Sequence, residues 1–307
     1  MAPHKMSDEL LRETMQQFVN ANCNYALAAR LNRIPRETFR SRLHRALEIY
    51  KPENFQSQID WTYPKTLQID MAGKTALIGG DAHIWNEQPS PMWKAFCAVA
   101  KKVRPDCIVL NGDMLDGGKV SRHGSMLGSK APKVSVEIDA CHKWLKMLPL
   151  TKHTHWTIGN HDMRVDNYLA NNAPELEDYA GRLQDRFPNW KFSYSVLLGD
   201  VEVRHRFRGG IHAAWNNALH SGLSIVTNHT HQLQVYAVRN RNGSHWGIET
   251  GMLGDPLSPA FEYTEGAASR AVEGFVLLSF DDEGHLLPPE FCEMVRGRPV
   301  FRGQYLT

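Results

Sequence analysis

Lys74-Thr75-Ala76-Leu77-Ile78-Gly79-Gly80-Asp81-Ala82-His83 is the stretch on which the reading of this chain turns. Thr75 to Ile78 form a short apolar run ended by glycine, the pattern of a buried strand. Asp81 and His83 follow at once. Two residues apart on an extended segment, they share a face and can aim at one ion. The arrangement recurs downstream. Cys107-Ile108-Val109-Leu110 precedes Gly112-Asp113-Met114-Leu115-Asp116, and His155-Trp156-Thr157-Ile158 precedes Gly159-Asn160-His161-Asp162. Val201-Glu202-Val203 precedes His205, and Ser224-Ile225-Val226 precedes Asn228-His229-Thr230-His231. In layered α/β folds the loops leaving strand ends gather at one edge and build the site, so the five clusters are expected to converge.

Carboxylates, an amide oxygen and imidazoles together suit borderline divalent ions. Manganese is the first expectation, and iron, zinc and nickel fit the same donors. Any one cluster is a weak signal. An Asp-x-His pair is common in solvated turns, and Gly-Asn-His-Asp also occurs as an ordinary Asn-rich turn. Their order, each after a strand, is what specifies a site.

In that order the motifs D-x-H, G-D-x-x-D, G-N-H-D, a lone His and x-H-x-H resemble the calcineurin-like metallophosphoesterases, a family of two-metal phosphatases and nucleases. The resemblance covers roughly residues 73–257. It implies an α/β fold, a four-layer αββα sandwich, with two divalent metal ions. Asp81, His83 and His231 would hold the first ion, Asn160, His205 and His229 the second, and Asp113 would bridge them. A metal-bound hydroxide would attack phosphorus, with His161 protonating the leaving oxygen and Asp162 orienting that imidazole. Arg164, Arg122 and His123 are the expected substrate contacts, with Asn111, Asp116 and Ser121 beside them. The chain departs from the family at Asn-His-Thr-His, where Gly-His-x-His is usual. Asn tolerates positive φ better than most residues, so the turn is expected to survive. For the lone His, His205 is preferred because it ends the run Val-Glu-Val-Arg-His, and His212 and His220 are the competitors. Trp144, Trp215 and Trp246 read as packing residues, and His153, His155 and His245 as surface or core-edge histidines.

Outward from this body, residues 51–72 contain Pro and many polar residues and read as a linker, which sets domains at 1–50 and 73–307. Residues 7–49 read as helical. Ser7 suits an N-cap, with Asp8 and Glu9 in the first turn. An Ala-rich helix over 24–31, a turn with Ile34-Pro35 and a helix from Arg36 to Leu47 resemble a helix-turn-helix DNA-binding unit, with Arg36, Arg40, Ser41 and His44 projecting outward. From Arg30 to Arg45 there are six Arg and one Glu, a patch suited to phosphate. The competing reading is a plain helical hairpin that makes a homo-oligomer. The pairing of such a head with such a body resembles proteins of phages and prophages.

A net charge of +2 in 307 residues means that any nucleic-acid surface must come from local clustering. Five scattered cysteines without a C-x-x-C pair argue against a disulfide framework and fit a reducing cytosol. Neither a signal peptide nor a membrane span is read. Three functions follow: a phosphodiesterase acting on DNA, a phosphomonoesterase acting on protein, nucleotide or terminal DNA phosphate, and a non-catalytic scaffold.

Overall fold

Alternation along short apolar strands builds the larger part of the molecule. Ala76 and Ile78 of β2 (Thr75–Gly79) and Cys107 and Val109 of β3 (Cys107–Leu110) face one core, while Leu77, Ile108 and Leu110 face another. Strands buried on both faces read as continuous hydrophobic runs, which is why these two were legible. The computed structural model describes residues 6–20, 28–29, 32–54, 63–121, 130–149, 151–176, 182–240, 243–264 and 270–306. The chain divides into two compact units, Met1–Thr62 and Tyr63–Thr307.

In the smaller unit α1 (Asp8–Asn20) begins at Ser7, whose Oγ accepts from the Leu10 amide at 3.2 Å. Its buried residues Leu11 and Met15 pack with Ala28, Ala29 and the Phe39, Leu43 and Ala46 face of α2 (Arg36–Leu47). Arg36, Arg40, Ser41 and His44 lie on the exposed side of α2. Of the Ala-rich helix expected over 24–31, only Ala28 and Ala29 are among the described residues, and both are helical.

The larger unit is a mixed α/β fold with two sheets. One runs β14-β13-β12-β11-β2-β3-β4-β5, adding β4 (His153–Thr157), β5 (Lys191–Ser193), β11 (Gly274–Ser279), β12 (Glu290–Val295), β13 (Arg298–Phe301) and β14 (Gln304–Tyr305). The other runs β1-β6-β7-β8-β10-β9, from β1 (Thr66–Ile69), β6 (Ser195–Leu198), β7 (Val201–Val203), β8 (Ser224–Thr227), β9 (Leu233–Asn240) and β10 (Gly243–Thr250). Val196, Val201, Val226, Ile248, Val276 and Leu278 help fill the space between the sheets. On the first sheet's outer face lie α3 (Pro91–Val103) and α4 (Val134–Leu145), through Trp93, Phe96, Cys141 and Trp144. On the other sheet lies α7 (Ala213–Ser221), following α5 (Arg164–Asn172) and the short α6 (Leu183–Arg186) in the chain. The layers are therefore helix, sheet, sheet, helix.

The expected linker is corrected at its C-terminal end. Tyr63 is buried, and β1 pairs in parallel with β6 from Thr66↔Ser195 to Ile69↔Leu198, so residues 63–69 belong to the larger unit. The tail from Pro288, unassigned from sequence, supplies the edge meander β12–β14. Among the described residues no helix is long and apolar enough to cross a membrane.

Candidate metal centre

The neighbouring pairs β2/β3, β3/β4 and β7/β8 are parallel. Asp81, Asp113, Asn160, His205 and His229 each leave the C-terminal end of one of these strands, where the loops converge. The turns are tight enough to force unusual backbone. Asp81, His83, Asp113, His229 and His231 have φ of 50°, 41°, 49°, 73° and 58°. They are five of the nine non-glycine residues with positive φ among those described, so strain is concentrated here. Glycine is needed beside them. A Cβ on Gly159 would lie 2.1 Å from Asp113 Oδ1, and one on Gly112 would lie 2.5 Å from His205 Nδ1.

Asp81, His83 and His231 form one cluster. His83 Nε2 lies 3.1 Å from His231 Nε2, and Asp81 Oδ1 lies 3.9 and 3.6 Å from the two. Asp113, His205 and His229 form a second, with His205 Nε2 3.2 Å from Asp113 Oδ2. Asp81 Oδ1 and Asn160 Oδ1 are buried without a hydrogen-bond partner, and Asp113 Oδ2 and His205 Nε2 face each other at 3.2 Å with no further partner. Orphaned buried groups of this kind are costly unless something else satisfies them.

Their titration fits a cation-binding role. Burial pushes His229 and His231 down to about 4 and lowers His83, which keeps these imidazoles neutral with free lone pairs. Burial also raises Asp81. In Asp113 the neighbouring His205 charge outweighs burial and holds the carboxyl well below its usual range. His205 in turn is raised to about 9, because Asp113 and Asp81 outweigh its own burial. The proton on His205 thus neutralises charge that a divalent ion would otherwise take. Donor types, orphaned atoms and neutral imidazoles all fit divalent metal ions.

His161 sits against this centre, its ring 4.5 Å from that of His83. Its Nδ1 donates to the Asp116 carbonyl at 3.0 Å and lies 3.3 Å from Asp116 Oδ1. Burial lowers the pKa of His161, but the Asp116 and Asp113 carboxylates reverse that and raise it. The expected Asp162–His161 pair does not form. Asp162 points the other way, accepting from the amides of Asp113, Met114, Leu115 and Gly159 and from Trp156 Nε1 at 2.9–3.3 Å. It ties the Gly-Asp-x-x-Asp loop to the Gly-Asn-His-Asp loop. Asp116 is the residue that orients His161. Arg164 donates from Nη1 to the Asp116 carbonyl at 2.7 Å and places Nη2 3.0 Å from His161 Nε2.

Asn228 departs from the expectation in a different way. It does not adopt positive φ, and His229 and His231 take that role. Its side chain donates to Asp81 Oδ2 at 3.2 Å and to the Gly251 carbonyl at 2.9 Å, and accepts from Asn111 Nδ2 at 2.8 Å. Thr157 Oγ1 donates to Asn111 Oδ1 at 2.6 Å, so a buried amide chain joins the two sheets beneath the site. Glu249, accepting from Thr227 and Thr230, buttresses the same turn, and burial raises it to about 8. Sequence reading gave Asn228 only a turn role and missed Glu249, because an amide ladder between distant strands leaves no local pattern. His212 and His220 are exposed and outside both clusters, which leaves His205 as the lone His of the site. Arg122 and His123 lie outside the described residues.

The sequence matches the family described as calcineurin-like phosphoesterase over residues 75–250. The Gene 54 protein of Mycobacterium phage L5 is 27% identical over 238 residues, covering 67% of this chain and 88% of its own length. The Gene 54 protein of Mycobacterium phage D29 is 31% identical over 161 residues, covering 46% of this chain and 61% of its own. Among solved structures, wild-type Vps29 of Entamoeba histolytica complexed with zinc aligns with a TM-score of 0.39 and 14% identity, covering 76% of this chain and 96% of that one.

Proposed function

The chain belongs to the calcineurin-like phosphoesterases, metal-dependent hydrolases, and from that premise we propose that it hydrolyses phosphodiester bonds in nucleic acid. The observation that carries the choice of substrate is the exposed face of α2. Arg36, Arg40, Ser41 and His44 lie there in a compact unit of their own, within a segment of six Arg and one Glu. That is the charge pattern of a phosphate-contacting recognition helix. We assign DNA binding to this helix, with the larger unit supplying the chemistry.

Asp81, His83 and His231 would hold one ion, and Asn160, His205 and His229 the other, with Asp113 between them. Two divalent ions there, manganese first among them, would polarise phosphoryl oxygens and acidify a water near neutral pH. His161 is the proton donor. Its Nδ1 is committed to Asp116, which turns Nε2 toward the site. Arg164 caps that Nε2 at 3.0 Å. An incoming phosphate competes for the guanidinium, freeing Nε2 to take up a proton from solvent water, which it then gives to the leaving oxygen.

Cleavage of linear and circular DNA, single- and double-stranded, in added manganese tests the reading. His161→Ala is expected to lower the rate by about 10²-fold or more. Metal-loaded, folded protein that leaves every DNA intact but hydrolyses p-nitrophenyl phosphate would replace this reading with a phosphomonoesterase.

A further inference from the structure

Beside the metal centre runs a cleft of about 750 Å³. Asn160 and His205 are part of its wall, so it opens onto the site. The rest of the wall includes Tyr168, Tyr194, Asn167, Asn171, Arg204 and Arg206, from α5 and the segments around β5 and β7. Aromatic faces, amides and guanidinium groups together are the chemistry that receives bases and phosphates. Tyr168 is 46% exposed, a large aromatic left open on α5. Tyr194 stands edge-on to Tyr63 at 6.0 Å, which fixes its ring.

The segment leaving β7 reads Arg204-His205-Arg206-Phe207-Arg208, three arginines around one proposed ligand. Arg204 is held in place by Glu202 at 3.2 Å and lies over the Phe207 ring at 5.2 Å. Its Nε is buried without a hydrogen-bond partner. Arg206 and Arg208 are exposed and form no ion pair among the described residues. Of the three, Arg204 and Arg206 line the cleft, and Arg206 brings it a positive charge with no ion-pair partner among the described residues.

Stacking chemistry decides which nucleic acid suits it. A volume of about 750 Å³ has room for one or two unpaired nucleotides. In a duplex the base faces are already stacked on one another, so only an unpaired base is free to stack on an aromatic ring.

We infer that this cleft binds an unpaired strand, one base on Tyr168 and Tyr194 and the adjoining phosphates on Arg204 and Arg206, and so delivers single-stranded nucleic acid to the metal centre. The inference rests on the phosphodiesterase reading above and names its substrate class.

Fluorescence anisotropy of a labelled, hydrolysis-resistant phosphorothioate hexathymidylate tests it on the full chain. Excess unlabelled duplex is present to occupy the N-terminal helical unit. The hexamer is expected to stay bound against duplex, about tenfold more weakly to Tyr168→Ala. Arg206→Ala is expected to weaken binding and flatten the slope of log affinity against log salt by about 0.7, the value for one phosphate contact on a single strand. A lost packing contact would leave that slope unchanged. Displacement of the hexamer by duplex, or unchanged affinity in both variants, overturns the inference. The two readings separate in a parallel cleavage assay. Bound hexamer with no polynucleotide cleaved sinks the phosphodiesterase reading and leaves the cleft assignment. Cleavage with a single- to double-strand preference unchanged in both variants sinks the cleft assignment and leaves the enzyme.

Discussion

Asp162 accepts from five N–H donors while Asp116 engages two imidazoles, those of His83 and His161, and a guanidinium, so neutralising the two carboxylates has different consequences. Asp162→Asn turns an amide NH2 toward donors that then lack an acceptor. The expected loss is on the order of 3 kcal/mol, read as a lower Tm. Asp116→Asn keeps the fold but loosens both His161 and His83, and kcat is expected to fall about 10–100-fold with Tm little changed. Equal loss of stability in both would overturn this division. The Asp162–His161 pair was what the family resemblance implied. In a tight turn, neighbouring side chains point to opposite sides, and only the packed loops show which carboxylate meets the imidazole. The two side-chain clusters at the strand ends were legible because each motif keeps its donors within a few residues of a strand end.

At the scale of elements, β4 carries a cost the sequence concealed. His155 reads as a core-edge histidine, yet it is 2% exposed, and neither ring nitrogen has a hydrogen-bond partner. It pairs in register with Val109, whose side chain faces the space between the sheets. Burial, with Lys191 and His153 nearby, pushes it down to about 4. The unfolded chain takes up this proton near pH 6.5 and the folded chain does not, so stability falls as pH drops from about 6.5 toward about 4. His155→Leu removes this contribution. The drop in Tm between about pH 8 and about pH 5 is expected to be smaller in the variant. An identical drop would show that other groups set the acid limit. Strands β2 and β3 were read to the residue or nearly so, being continuous apolar runs, and β7 was read from its Val-Glu-Val alternation. Strands β12 to β14 were not, because their alternation is broken by Glu290, Glu293, Arg296 and Arg302 at a sheet edge.

For the whole molecule, stability and metal content are expected to be linked. Two buried carboxylates meet at one rim, with Asp81 Oδ1 and Asn160 Oδ1 lacking any hydrogen-bond partner, and an ion there would satisfy them. Chelator treatment is expected to lower Tm by several degrees. Manganese at about a hundred times its dissociation constant contributes about 2.7 kcal/mol in return. A Tm indifferent to both would argue against a preformed site. The same rim holds five side chains on left-handed backbone, each disfavoured by on the order of 1 kcal/mol, against a total stability of about 5–15 kcal/mol. Fitness for heat and fitness for catalysis therefore oppose each other at these five positions. His229→Gly is expected to raise the Tm of the metal-free chain while abolishing hydrolysis. A population selected for thermal survival alone would drift toward glycine there and arrive at a sturdier protein that no longer works.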